Sequence, residues 1–149
     1  MTGIGENLGF LLAQVTRAHQ DHVRRSLRET GLHRGQPTLL VVLDEQDGSA
    51  HSEIASRMGV TPPTISTMVK RMERAGFVVR RRDTADDRVS RVYLTDAGRS
   101  IYSQLEPITQ KMDEGTFAGF TEEEQTLMRG LLDRVRANLH QLKAEGEPG

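Results

Sequence analysis

The 149-residue chain contains no cysteine. Disulfides, thiolate metal centres and thiol-based oxidant sensing are therefore excluded outright. Tryptophan is also absent, and aromatic residues make up only 4% of the chain. The core must then be built from Leu, Val, Ile and Met, which favours packed helices. No stretch approaches the ~18 apolar residues of a membrane-spanning helix. The apolar run at residues 10–13 lacks a preceding basic segment and is too short for an export signal. A soluble, cytoplasmic protein with no membrane partner is the expectation. Catalytic signatures are missing as well. There is no Gly-rich phosphate loop, and the five histidines (His19, His22, His33, His51 and His140) are scattered, with no Ser/His/Asp set at usable spacing. An enzyme is not expected, and no cofactor is called for. Repeats and low-complexity tracts are absent, and only residues 145–149 read as a frayed tail.

What is present is a chain of ordinary charge content, 28%, long enough for one domain with a proper core. The net charge is −1, but it is unevenly distributed. Residues 57–91 hold nine Lys/Arg against four Asp/Glu, a net +5, and the rest of the chain carries −6. A local excess of this kind is an electrostatic footprint for phosphates.

That window coincides with the most legible stretch of the chain, residues 61–95. Thr61 is placed to cap a helix, because its hydroxyl accepts from an orphan backbone N–H. Pro62 suits the first helical position. Ile65, Met68, Val69 and Met72 follow at i, i+3, i+4 and i+7, a single apolar stripe. Thr64, Thr67, Lys70 and Arg71 lie off it, and Gly76 ends the helix. The period then changes. Phe77 to Val79 and Val89 to Leu94 are β-branched and apolar, with Val92 and Leu94 alternating against Arg91 and Tyr93. Residues 80–88 read as the polar tip of a hairpin. A helix followed at once by a charged β-hairpin is the plan of a winged helix-turn-helix.

These residues resemble the MarR family of transcriptional regulators. Residues 53–60 (Glu-Ile-Ala-Ser-Arg-Met-Gly-Val) match the family's positioning helix. The helix from Thr64 to Gly76, ending Arg-Ala-Gly-Phe-Val, follows. Asp83, Asp86, Arg88, Val92, Leu94, Thr95 and Gly98 then match its wing signature, D-x-x-D-x-R-x-x-x-V-x-L-T-x-x-G. Asp87 departs from the pattern, since the family often has a second Arg there, and this lowers the positive charge at the wing tip. With helical arms before and after, the resemblance covers nearly the whole chain. It implies a mainly α fold with a small β-hairpin wing, in which residues 35–97 form a DNA-binding lobe within a single domain. Residues 6–30 and 98–145 would be dimerisation helices.

The rest of the chain agrees with that plan. Leu8, Leu11, Leu12, Val15, Ala18, His22, Val23 and Leu27 trace a helical stripe that Gly31 ends. Residues 35–46 form a second helix with Pro37 in its first turn. Asp47-Gly48 is a turn, and Ser49 or Ser52 caps a third helix that ends at Met58. The turn Gly59-Val60-Thr61 joins it to the basic helix, so Ile54, Met58, Ile65 and Met68 should share one small core. Thr95 caps a further helix, which Pro107 interrupts and bends. Thr121 and Glu124 form a capping box for the last helix. Its face of Leu127, Leu131, Val135, Leu139 and Leu142 is too long to leave uncovered. The first and last helices of two chains are therefore expected to interdigitate in a two-fold dimer, through Leu8, Leu11, Leu12, Val15, Leu131, Val135, Leu139 and Leu142.

The predicted DNA contacts are Thr61, Pro63, Thr64, Ser66, Thr67, Lys70 and Arg71 from the helix, and Arg82, Asp86 and Arg88 from the wing. Short hydroxyl side chains let a helix enter the major groove and read base edges, with Lys70 and Arg71 on the backbone. The resemblance assigns Arg88 to the minor groove, with Asp86 holding its guanidinium. A two-fold dimer would place two such helices about one DNA turn apart, ~34 Å, on a near-palindromic operator. The resemblance further implies repression relieved by a small-molecule effector, often an anionic aromatic compound. Its identity and its binding residues are not readable from the chain. Two alternatives stand beside this reading. In a metal-responsive regulator, His19 and His22 would need further ligands, and none is evident. In a winged-helix protein-interaction module, the basic helix face would be unexplained.

Overall fold

The computed structural model describes residues 3–146. Two compact units are distinguished, Met1–Met112 and Asp113–Gly149. The first contains helices α1 (Leu8–Ser26), α2 (Gln36–Glu45), α3 (His51–Met58) and α4 (Pro62–Arg74), strands β1 (Ser49–Ala50), β2 (Val78–Arg82) and β3 (Ser90–Leu94), and most of α5 (Asp96–Thr116). The second contains the last turn of α5 and α6 (Glu122–Gly146). The expected class, mainly helical with a small β wing, is what the structure shows.

The core of the first unit is a helix-turn-helix backed by the sheet. Leu39, Leu40, Leu43, Ile54, Ile65, Val69, Met72 and Val92 have no exposed surface. Met58 and Met68 pack against them, partly buried. The convergence expected of Ile54, Met58, Ile65 and Met68 is therefore present. Burying a side chain of this size contributes ~1.5–3 kcal/mol relative to exposure, so the α3–α4 pair is held mainly by its own apolar faces.

Three sequence expectations need correction around this core. Arg80, Arg81 and Arg82 are not at the hairpin tip but lie within β2, opposite Val92, Arg91 and Ser90 of β3. A third strand exists that periodicity could not show: Ser49 and Ala50 pair with Val92 and Arg91, giving the antiparallel order β1-β3-β2. Ser49 consequently caps nothing. It is buried in the sheet and donates its hydroxyl to the Gln46 carbonyl at 2.7 Å. Ala50 occupies the cap position of α3 without a side-chain bond, so Ser52 does not cap it either.

The helix ends are otherwise local chemistry. Asn7, overlooked in the sequence, caps α1 by accepting from Phe10 N at 2.7 Å. The α-helical part of the first arm stops at Ser26, and one 3-10 turn carries it to Gly31, whose φ of 72° closes it. Thr61 caps α4 and Thr95 caps α5, accepting from Gly98 N at 3.0 Å. α5 runs through Pro107 without interruption. Only one backbone donor is lost there, and the flanking turns persist.

In the second unit, Thr121 and Glu124 form the expected reciprocal capping box, at 2.9 and 3.1 Å. Phe117 and Phe120 pack edge to face, 6.0 Å between ring centres. Of the tail expected to fray, Glu145 and Gly146 belong to α6, and residues 147–149 lie outside the described residues. No described residue of α6 is buried. No helix among the described residues is long and apolar enough to cross a membrane.

Candidate nucleic-acid interface

α4 has the three faces that its sequence period dictates. Ile65, Val69 and Met72 point into the core, and Pro63, Thr67, Lys70 and Arg74 are exposed. Thr64 and Arg71 are exposed too, on the flank that carries Met68. Lys70, Arg71 and Arg74 have no ion-pair partner among the described residues, so their charge is available to an external anion. Arg74 was not among the residues singled out from sequence, yet helical spacing places it one turn beyond Lys70. Ser66 is only half exposed. It lies on the opposite flank, two turns before Glu73, and contributes less surface than its neighbours.

The hydroxyls at the start of α4 are partly engaged. Thr61 and Thr64 share a hydrogen bond at 2.9 Å between their side-chain oxygens. Thr67 donates back to the Pro63 carbonyl at 3.2 Å. A hydroxyl keeps its acceptor capacity when its proton is committed. Thr67 thus presents a methyl group and acceptor lone pairs.

The wing sorts its arginines by strand face. Arg80 lies on the face of Val78 and Val92, toward α4. It clamps the Glu73 carboxylate with Nε and Nη2 at 3.2 and 3.0 Å, while its backbone N–H donates to the same group. This side-chain bonding from Arg80 holds the Glu73 carboxyl below the usual range. Arg81 and Arg91 stand directly opposite each other on the other face, a like-charge pair that would be unfavourable if unrelieved. Two contacts relieve it. Arg91 bonds Asp83 at 3.2 Å and the Gly48 carbonyl at 2.9 Å. Arg81 lies over the Tyr93 ring, 5.7 Å from its centre. Arg57 is likewise committed, to Glu45 and to the Val42 carbonyl. Three of the nine basic residues in the window, Arg57, Arg80 and Arg91, therefore serve the fold, and Arg82 stays exposed and unpaired among the described residues.

Arg88 is different. Its Nε and Nη2 reach the two oxygens of Asp86 at 3.1 and 3.4 Å, and its backbone N–H bonds the same carboxylate at 3.1 Å. The Arg88 side chain is still 89% exposed. Bonding from the Arg88 side chain depresses the Asp86 carboxyl below its ordinary value. The result is an oriented cation at the hairpin tip with other N–H donors unused, a geometry suited to a phosphate or a base edge and costly to assemble from a free side chain.

Two neighbouring cavities lie within the same unit, one against α4 and one against α1. One, about 300 Å³, lies between His33, Arg34 and Gln36 on one side and Thr64, Thr67 and Arg71 on the other. A second, about 500 Å³, is lined by α1 residues including His19, Val23 and Arg24, and by His33, Arg34 and Gly35. The described residues hold no group of three or more His, Asp or Glu placed to share a metal ion. Among the described residues, His19 and His22 belong to no such group.

Comparison with known proteins agrees with this geometry. Residues 32–90 match the model of the MarR family. The chain is 27% identical to the HTH-type transcriptional regulator YybA of Bacillus subtilis strain 168 over 86% of its own length and 85% of that protein. It is equally similar, 27%, to the HTH-type transcriptional repressor Rv2887 of Mycobacterium tuberculosis, over 86% of this chain and 92% of the other. Among solved structures, CouR of Rhodococcus jostii RHA1 bound to p-coumaroyl-CoA superposes with a TM-score of 0.81 at 27% identity, over 91% of this chain and 95% of that one. Winged helix-turn-helix fold, basic helix and wing signature agree with these relatives, the first two of which are described as HTH-type transcriptional regulators, and residues 32–90 carry the MarR-family domain.

Proposed function

We propose that the protein is a homodimeric, sequence-specific repressor that binds a near-palindromic operator and is released by a small anionic aromatic ligand. The observation that carries the reading is the pairing of an outward α4 face of threonines and unpaired cations with an exposed Arg88 held ready by Asp86. Pro63, Thr64, Thr67, Lys70 and Arg71 would meet the major groove and its phosphates, with Arg74 extending that row. Thr61 acts by fixing the helix start, and Ser66 borders the contact. Arg88, oriented by Asp86, would enter the minor groove, and Arg82 would take a neighbouring phosphate.

The division of labour expected from sequence supports the same scheme, with residues 35–97 as the DNA lobe and residues 6–30 and 98–145 as dimer helices. Leu8 is 83% exposed, and Leu11 and Val15 are more than half exposed, Leu12 less so. Leu131, Val135, Leu139 and Leu142 are all exposed along α6. Apolar faces of this extent call for cover, and a second copy of the chain supplies it. Repression is favoured by the description of Rv2887 as a repressor. A ligand is favoured by the larger cavity, where apolar side chains of Val23, Leu27 and Leu32 meet the cationic Arg24 and Arg34. CouR was solved with an aromatic acyl thioester bound. Working on the chromosome, such a protein acts in the cytoplasm.

The test is a gel-shift titration with the intergenic DNA flanking the protein's own gene, comparing the native chain with Arg88→Ala. Loss of one specific base contact is worth ~1–3 kcal/mol, roughly 5- to 150-fold in affinity. Equal affinity of the two at physiological salt removes the wing from the mechanism. Failure of the native chain to shift any such fragment removes DNA recognition by this surface.

A further inference from the structure

The cavity beside α4 and the larger one beside α1 share a wall. His33 and Arg34 line both the groove against Thr64, Thr67 and Arg71 and the larger cavity against α1. No carboxylate lines either cavity among the described residues. Within the larger one, Arg24 is already paired with Asp21 at 3.0 Å. Arg34 has no ion-pair or hydrogen-bond partner among the described residues and is exposed. It is thus an uncommitted guanidinium with access to two sites that both favour anions. Its neighbour Gly35 joins this wall to the reading helix: at φ 82°, its position is such that an added Cβ would lie 2.7 Å from the Met68 Cε of α4. Met68 itself lines the smaller groove. The wall of the larger cavity therefore touches the helix that reads DNA.

We infer that Arg34 is an additional phosphate contact of the DNA interface and, alternately, the anion ligand of the larger cavity. The inference rests on the proposed function above. The fork points into one cavity at a time, toward α4 for the phosphate or toward α1 for the carboxylate. A carboxylate in the cavity withdraws Arg34 from the DNA backbone, and DNA, by linkage, weakens carboxylate binding by the same factor. A forked, planar donor suits both partners, since phosphate and carboxylate present paired oxygens at similar spacing.

The experiment compares the full-length native chain with Arg34→Ala and Arg34→Lys by fluorescence anisotropy on a duplex that the native chain binds. The side chain is exposed, so neither variant should lose the fold, and circular dichroism checks this. Each phosphate contact contributes ~0.9 to the slope of log K against log salt. Arg34→Ala is expected to lower the slope by about 1 per protomer, and Arg34→Lys to keep it. The probes for the cavity are benzoate and 2-naphthoate, each set against its neutral amide. The carboxylates should lower DNA affinity of the native chain severalfold, the amides should not, and Arg34→Ala should abolish the difference. An unchanged slope in Arg34→Ala overturns the DNA contact. Carboxylates and amides acting alike on the native chain, or not at all, overturn the exchange. A native chain that binds no duplex refutes the proposed function instead, so the two failures are distinguishable.

Discussion

Gly98→Ala adds one methyl group at a position where the structure leaves no space for it. The new Cβ would sit 2.1 Å from the Phe77 carbonyl oxygen, 3.1 Å from its carbon and 3.2 Å from Leu94 Cδ2. Ordinary C···O contacts begin at roughly 3.3 Å, so about 1.2 Å of separation must be created. The oxygen cannot swing aside alone, because it belongs to the backbone and accepts from Thr95 N at 3.1 Å. Gly98 itself lies in the first turn of α5, its N–H bonded to the Thr95 hydroxyl. α5 must therefore move off the root of the wing. Overpacking of this kind costs ~1–3 kcal/mol, and a weakened Thr95 bond adds ~1 kcal/mol. Against this, Ala is favoured over Gly inside a helix by up to ~1 kcal/mol. The steric cost wins, and the net loss is about 1–3 kcal/mol. At ~2–4 °C per kcal/mol for a chain of this size, the melting temperature should fall by roughly 2–12 °C. Differential scanning calorimetry and urea denaturation measure it. Gly115→Ala is the internal control. It lies in the same helix with nothing near its would-be Cβ, and it should gain up to ~1 kcal/mol. If Gly98→Ala is as stable as the native chain or more so, the close approach of α5 to Phe77 is refuted.

Glu73→Ala should leave stability within ~1 kcal/mol, because the pair it forms with Arg80 is about a third exposed. It releases Arg80 to solvent, and the salt slope of DNA binding should steepen by about 1 per protomer; an unaltered slope means that Arg80 faces away from DNA. The Asp86 carboxyl is depressed by its bonds from Arg88. Its clamp should then be fully present above the ordinary Asp value of about 3.9 and be lost only as pH falls through the lowered value. The Arg88 amide resonance should accordingly stay constant from neutral pH down to about pH 4 and move below it. Titration nearer pH 5–6 would contradict the paired geometry. Leu131→Glu with Leu139→Glu places charge on the exposed face of α6, and analytical ultracentrifugation should show monomers where the native chain sediments as a dimer. Unaltered sedimentation would mean that no second copy covers this face.

Much of this protein was decided within short windows of its sequence. The Thr61 cap, the Thr121–Glu124 box, the buried stripe of α4 and the alternation of Val92 and Leu94 depend on partners two to four residues away or on a simple period. They are settled before the chain has any tertiary form. The identity of the wing was legible for the same reason, since Asp86 and Arg88 form their clamp across a single residue. The remaining features needed distant groups to meet. The two-residue strand β1 carries no period of its own and exists because Val92 and Arg91, more than forty positions later, complete its ladder. Which arginines stay free could not be read from charge, because Glu73, Asp83 and Glu45 claim Arg80, Arg91 and Arg57 only once helices and strands are packed. Nor does the motif say why position 98 is glycine; the Phe77 carbonyl does. Local hydrogen bonding and periodicity chose the elements. Packing chose which of their charges remain available to another molecule, because an ion pair between distant residues needs the fold to bring its partners together.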